Sequence, residues 1–174
     1  MTGRIFTADH HVYDLPPLLS WNVRHTGTVP CDSWSVTAVY QPEMLTVLRM
    51  AAGFAAIENG MTQLRGIVDE YTVELGSRGM TVTLSGRGYA ARLLDNESRP
   101  VTYEQVTLRE LLRCHAEPYG ISCGAAADLR STVPYTAEAG ISQWKVISEF
   151  CRTYGGFLPR FAKTGELLAT PEQD

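Results

Sequence analysis

Between residues 63 and 84 the chain alternates apolar and polar side chains twice, on either side of a four-residue turn. Tyr71, Val73 and Leu75 alternate with Thr72 and Glu74. Met80, Val82 and Leu84 alternate with Thr81 and Thr83, and Gly76-Ser77-Arg78-Gly79 lies between the two runs. A period of two puts the apolar residues on one face of a strand, and such a turn folds the strands antiparallel. That apolar face cannot be left in water, so the sheet is expected to curl or close into a small barrel. The second strand runs directly into Ser85-Gly86-Arg87-Gly88-Tyr89. The glycines let a strand bend sharply there, and Arg87 is placed to tie the corner to another strand or chain.

The flanking sequence supplies more strands. Residues 3–7 and 12–13 read as extended pieces around His10 and His11, and 14–17 break them. Residues 18–24 alternate loosely, and 26–32 form a loop with Gly27 and Pro30. From 33 to 40 the alternation is clean, with Trp34, Val36, Ala38 and Tyr40 on one face. Pro42 and Glu43 suit a helix start, and Leu45, Leu48 and Arg49 fill two turns before Gly53. After the apolar run 54–57, Asn59-Gly60 is a strong hairpin signal.

The pattern changes after Arg99-Pro100. Thr107 and Glu110 form a capping box, followed by Leu108, Leu111, Leu112 and His115 on one helical face, ended by Pro118 and Gly120. Residues 134–140 read as a linker. Ser142 caps a second helix, with Trp144, Ile147, Phe150, Cys151 and Tyr154 along one side and Gly155-Gly156 at its end. Residues 157–161 and 166–169 flank Lys163-Thr164-Gly165, a short hairpin. The expected class is α+β, mostly β: a small antiparallel β-barrel or curled sheet over 1–99, then a two-helix α+β module over 100–174.

A chain of 174 residues can bury a real core, as one domain or two. The net charge of -4 argues against a dedicated nucleic-acid binder, which needs a concentrated basic face. Apart from Lys145 and Lys163 the basic residues are arginines, a bias common at protein interfaces. Cys31, Cys114, Cys123 and Cys151 form no CxxC pair, which favours a reduced compartment. There is no signal-like start and no apolar run of about eighteen residues. A soluble, intracellular product is expected.

Chemistry has few footholds. Asp9, His10 and His11 offer two imidazoles, but strand neighbours point to opposite faces, so a metal would need His25 or Cys31 as well. Cys114 and His115 diverge by about 100° on a helix and cannot act as nucleophile and base. Asp69 and Glu70, adjacent on a strand, face opposite ways; solvent exposure or a salt bridge to a nearby arginine is the expected use. Gly86-Arg87-Gly88 lacks the lysine of a phosphate loop and the third glycine of a dinucleotide fingerprint. No catalytic, cofactor or metal residue is assigned.

Three pieces of the chain resemble the baseplate hub proteins of long-tailed phages and phage-derived contractile particles, the group of late control protein D and the Mu-like hub. One is Gly66-Ile67-Val68-Asp69-Glu70-Tyr71. The most distinctive is Leu84-Ser85-Gly86-Arg87-Gly88 followed by Ala91-Arg92-Leu93-Leu94-Asp95. The third is the capped helix with Gly120-Ile121 and the later helix from Trp144 through Gly155-Gly156 to the Gly165 hairpin. The resemblance implies a tail-tube-like barrel domain, an α+β domain and a homotrimeric ring at the end of the tail tube. It implies contacts to distal tail or tube proteins on one side and to a spike or tape-measure protein on the other. Such a protein is made in the bacterial cytoplasm and resides in a virion or prophage-derived particle, with no membrane or specific nucleic-acid contact. Hubs of this group are usually about twice as long, so the piece is expected to be monomeric if truncated.

On this reading Gly86, Arg87, Asp69, Tyr71, Trp34, Asp95 and Trp144 are structural or interface residues. A tail-associated wall hydrolase or peptidase would instead use Asp69 or Glu70 in a cleft. A carbohydrate- or peptide-binding module would expose an aromatic groove at Trp21, Trp34 or Tyr71.

Overall fold

The computed structural model describes residues 1–26, 31–77 and 79–172. Gly27 and Pro30 of the expected loop, Arg78 of the expected turn and the last two positions lie outside them. The chain divides into two compact units, Met1–Tyr89 and Ala90–Asp174.

The first unit is a seven-stranded antiparallel sheet. Its strands are β1 (Thr2–Thr7), β2 (Val12–Asp14), β3 (Leu18–Arg24), β4 (Ser33–Val39), β5 (Ala51–Glu58), β6 (Met61–Gly76) and β7 (Gly79–Gly88), with helix α1 (Met44–Arg49) between β4 and β5. The order across the sheet is β2-β1-β5-β6-β7-β4-β3. Asn59 and Gly60, with φ of 51° and 76°, turn β5 into β6 as the dipeptide requires. The sheet is open, which corrects the expected closed barrel: β2 pairs only with β1, and β3 only with β4, among the described residues. Pro16 and Pro17, one residue beyond β2, cannot donate to a ladder, so this end strand stays short at three residues. A bulge between Leu18 and Ser20 distorts the other end strand.

The core lies on the face that carries Ile5, Trp34, Val36, Ala38, Phe54, Leu64, Val82 and Leu84, with Met44 and Leu48 of α1 packed in. Its centre is an aromatic stack. Trp34 belongs to β4 and Phe54 to β5, with β7 and β6 between them, about 14 Å apart in a flat sheet. Their rings nevertheless lie face to face, centroids 3.8 Å apart and planes within 13°. The intervening strands make room because each carries a glycine beneath the indole. A side chain at Gly86 would enter the Trp34 ring at 2.8 Å and strike the Ile67 carbonyl; one at Gly66 would strike the Arg87 carbonyl and come 3.1 Å from the indole nitrogen. That nitrogen donates to the Ile67 carbonyl at 3.2 Å. Gly86 therefore serves close approach rather than the sharp bend read from the sequence; β7 runs unbroken through it.

The second unit comprises α2 (Ala90–Leu94), β8 (Val101–Tyr103), α3 (Leu108–His115), a 3-10 turn (Glu117–Tyr119), β9 (Cys123–Ala126), β10 (Tyr135–Ala137), α4 (Gln143–Gly155), β11 (Arg160–Phe161) and β12 (Leu167–Ala169). The expected linker 134–140 contains β10, which pairs antiparallel with β8. Tyr135 holds it in place: its hydroxyl donates to the Val146 carbonyl at 2.6 Å, and its ring meets Phe150 edge-on. The Gly165 hairpin pairs β11 with β12, and β9 joins β12 in parallel. Leu108, Leu111, Ile147, Phe150 and Leu167 are fully buried.

The capping box forms as the sequence indicates. Thr107 Oγ1 accepts from the Glu110 amide at 3.2 Å, and a Glu110 carboxylate oxygen accepts from the Thr107 amide at 2.9 Å. These bonds hold the Glu110 carboxyl below its ordinary value, so its share of stability is present above pH 4.5 and lost on acidification.

Two substitutions test these features by urea denaturation. Gly86→Ala is expected to lower stability by about 3 kcal/mol or more, the upper end of overpacking costs, since its first atom meets backbone and ring; an unchanged midpoint would mean the indole lies elsewhere. Thr107→Ala is expected to cost about 1 kcal/mol, and a neutral result would show that the cap bond is not formed in solution.

Candidate functional site

The polar residues singled out on β6 and β7 meet on the outer face of the sheet. Ile67 pairs with Arg87, Val68 with Gly86 and Glu70 with Ser85, so Asp69 is an extra residue in β6, a bulge. The bulge cancels the alternation expected of neighbours. Asp69 accepts a two-pronged bond from Arg87, Nε at 2.9 Å and the guanidinium NH2 nitrogen at 3.0 Å, and Glu70 accepts from Ser85 Oγ at 3.0 Å. Arg87 and Ser85 stand two apart on β7, so the carboxylates reach the same face, not opposite faces as the sequence suggested. The salt bridge to Arg87 is one of the two uses expected of Asp69. With Arg87 and Asp69 each more than a third exposed, the pair stabilises little, about 0–1 kcal/mol, and chiefly fixes the bulge.

The other candidates are dispersed. Trp34 is buried, with 3% of its surface exposed, so it cannot line an open aromatic groove. Tyr71 is half-buried against the same core, and Trp21 is 51% exposed on β3. Asp95 is exposed just after α2, where its amide closes on the Ala91 carbonyl at 2.9 Å. Trp144 is half-buried at the start of α4 and stacks on Phe161, centroids 6.0 Å apart. It flanks the core formed by Val146, Ile147, Phe150 and Cys151 rather than lying within it.

Asp9, His10 and His11 form a turn between β1 and β2 rather than a strand. Asp9 accepts from Thr7 Oγ1 and pairs with His11 Nδ1 at 2.9 Å. His25 pairs with Asp32 at 2.8 Å. Among the described residues no three His, Cys, Asp or Glu side chains converge as a metal site. Cys114 is exposed while His115 is buried.

Sequence reasoning missed a buried polar hub around His115. Its Nδ1 lies 2.6 Å from Gln143 Oε1 and its Nε2 lies 3.0 Å from the Tyr103 hydroxyl. Gln143 Nε2 donates to the Glu97 carbonyl at 2.8 Å and to the Tyr119 hydroxyl at 2.7 Å. The hub thereby joins both helices to β8 and to the 3-10 turn. Buried polar groups must be paired, so a histidine on the apolar face of a capped helix was the available signal. Arg92 likewise donates to the Tyr119 and Gly120 carbonyls at 3.4 and 3.3 Å, a cation at the end of the turn.

No family model matches the chain, and no curated protein matches it. Solved structures do. The tail protein from Neisseria meningitidis MC58 is similar with a TM-score of 0.71 and 14% identity, over 96% of this chain and 49% of that one. The 43 kDa tail protein of prophage MuSo2 from Shewanella oneidensis is similar with a TM-score of 0.76 and 14% identity, over 99% and 55%. The chain has the fold of phage tail proteins. A third tail-related structure, the E. coli c3393 protein, is a component of the type VI secretion system with structural similarity to T4 bacteriophage tail proteins gp27 and gp5. It is similar with a TM-score of 0.50 and 11% identity, over 86% of this chain and 47% of that one. This tail-protein fold thus spans about half the length of the structures it matches.

The thiols of the tail-protein fold divide by burial. Burial pushes Cys151 up to about 12 and, with Glu117 adding to it, Cys123 up to about 11, from an ordinary 9.0. A thiol reagent at pH 8 is expected to modify exposed Cys114 promptly and Cys151 only on unfolding. Because the unfolded thiols ionise from about pH 9, the stability these groups carry is complete below that value and falls as pH rises toward 12. A flat melting temperature across that range would contradict the burial of both.

Proposed function

We propose that this chain is a structural component of a phage-like tail baseplate hub and forms part of a ring at the end of the tail tube. The observation that carries the reading is the fold likeness to two tail proteins over nearly the whole chain. The side chains support it: the carboxylates on β6 are held by Arg87 and Ser85, an arrangement that shapes a wall rather than a reaction centre. In this reading Gly86 and Trp34 set the curvature, and Arg87, Asp69 and Tyr71 shape the wall near its free edges. Asp95 and Trp144 belong to the surface of the second unit.

The ring is a homotrimer in the full assembly, seated between distal tail or tube proteins and a spike or tape-measure protein. It has no membrane contact and no specific nucleic-acid contact. The protein is made in the host bacterial cytoplasm and ends in the virion or prophage-derived particle. A net charge of -4 suits a passage that does not grip DNA.

Light scattering coupled to size exclusion, over a concentration series, is expected to show self-association converging on a trimer. A chain that stays monomeric throughout, together with release of peptidoglycan fragments lost in Asp69→Asn or Glu70→Gln, would replace this reading with a hydrolase.

A further inference from the structure

Besides the outer edge of the three-residue β2, two longer stretches of strand edge in the first unit have no strand beside them among the described residues. One is the outer edge of β3, which pairs only with β4. The other arises because β6 is much longer than its neighbour: β5 pairs with it over residues 61–67 and no further, while β7 accompanies it to Gly76. Residues 68–76 of β6 thus overhang the sheet with an edge that has no strand beside it among the described residues. No residue of β3 and none of 68–76 is buried. Unpaired strand edges of this length are templates for another strand.

Both edges display the same two-faced pattern. On β3, Trp21 and Val23 stand opposite Val36 and Trp34 and so share the core face, while Asn22 and Arg24 stand on the outer face. On the overhang, Tyr71 and Val73 stand opposite Leu84 and Val82 on the core face, with Glu70 and Thr72 outside. The apolar side of each edge is left partly uncovered, most clearly at Trp21, 51% exposed, and at Leu75, 82% exposed.

We propose that copies of this chain join edge to edge, β3 of one copy adding antiparallel to the β6 overhang of the next. One register satisfies every pair at once. Arg24 falls opposite Glu70, Asn22 opposite Thr72, Trp21 opposite Val73 and Val23 opposite Tyr71. Apolar residues then continue the core face from molecule to molecule, with aromatic and β-branched neighbours, and an opposite-charge pair sits on the outer face. The occupant is a second copy because β3 itself supplies the partner pattern in charge and alternation. The contact is heterologous, using a different surface on each side, and heterologous contacts close into rings when the rotation permits. The inference rests on the ring reading above and specifies which edges make it.

The test uses the full chain in sedimentation and light scattering over a concentration series, with circular dichroism melts to check folding. Arg24→Glu and Glu70→Arg are expected each to weaken self-association about tenfold by placing like charges opposite one another. The double variant is expected to regain wild-type association. Single variants that associate like the wild type, or a double variant that does not recover, would overturn this edge assignment while leaving a ring built on other surfaces. A β3-to-β3 contact is recognised by loss in Arg24→Glu that Glu70→Arg does not repair, and it too overturns the assignment. A wild-type chain that is monomeric at every concentration overturns this edge assignment.

Discussion

The first unit is organised around an indole laid across two glycine strands. Trp34 reaches from β4 over Gly86 and Gly66 to stack on Phe54 of β5, and its nitrogen is satisfied by the Ile67 carbonyl. A buried indole without an acceptor would carry an unpaired donor. Here the acceptor belongs to β6, so the ring clasps the central strands together. Side chains at Gly66 or Gly86 would lift the ring from the sheet, and the stack with Phe54 would be lost. Other core members fill in around this arrangement: Val36, Val82 and Leu84 beside the indole, Met44 and Leu48 from α1.

The Trp34–Phe54 stack spans two intervening strands, and the sheet stays open. The end strands are unsuited to closure, one cut to three residues ahead of a proline pair and the other bulged. What results is an open sheet with free edges among the described residues. On its outer face the charged residues of β6 and β7 hold one another, which shapes the bulge at Asp69. In the second unit the same economy appears as the His115–Gln143 hub, where polar groups secure helix packing.

Much of this was written in local pattern. Alternation located β4, β6 and β7, Asn59-Gly60 set one hairpin, and Thr107 with Glu110 marked a helix start, because each depends on neighbours in sequence. The misses were non-local. Whether the sheet closes depends on how its end strands, β2 and β3, pair, which no short pattern records. The bulge that turns Asp69 and Glu70 to one face depends on the partner strand, so counting by two gave opposite faces. Gly86 was recognised as structural, but the reason for it, an indole arriving from a strand fifty residues earlier in sequence, is a tertiary fact. Residues 135–137 read as linker because three residues carry too little alternation to announce a strand that a tyrosine bond and ring secure. Asp69, Glu70, Ser85 and Arg87 are brought together by strand pairing.

The claim that this clasp forms the heart of the wall is tested most directly by hydrogen exchange at the indole nitrogens, followed by NMR. Trp21, Trp34 and Trp144 give one signal each. The Trp34 proton is expected to exchange only through opening of the whole sheet, as slowly as amides of the central strands, while that of Trp21 exchanges freely. Exchange of Trp34 at the rate of Trp21 would show that its ring does not lie bound over Gly66 and Gly86, and the account of the sheet would fail with it.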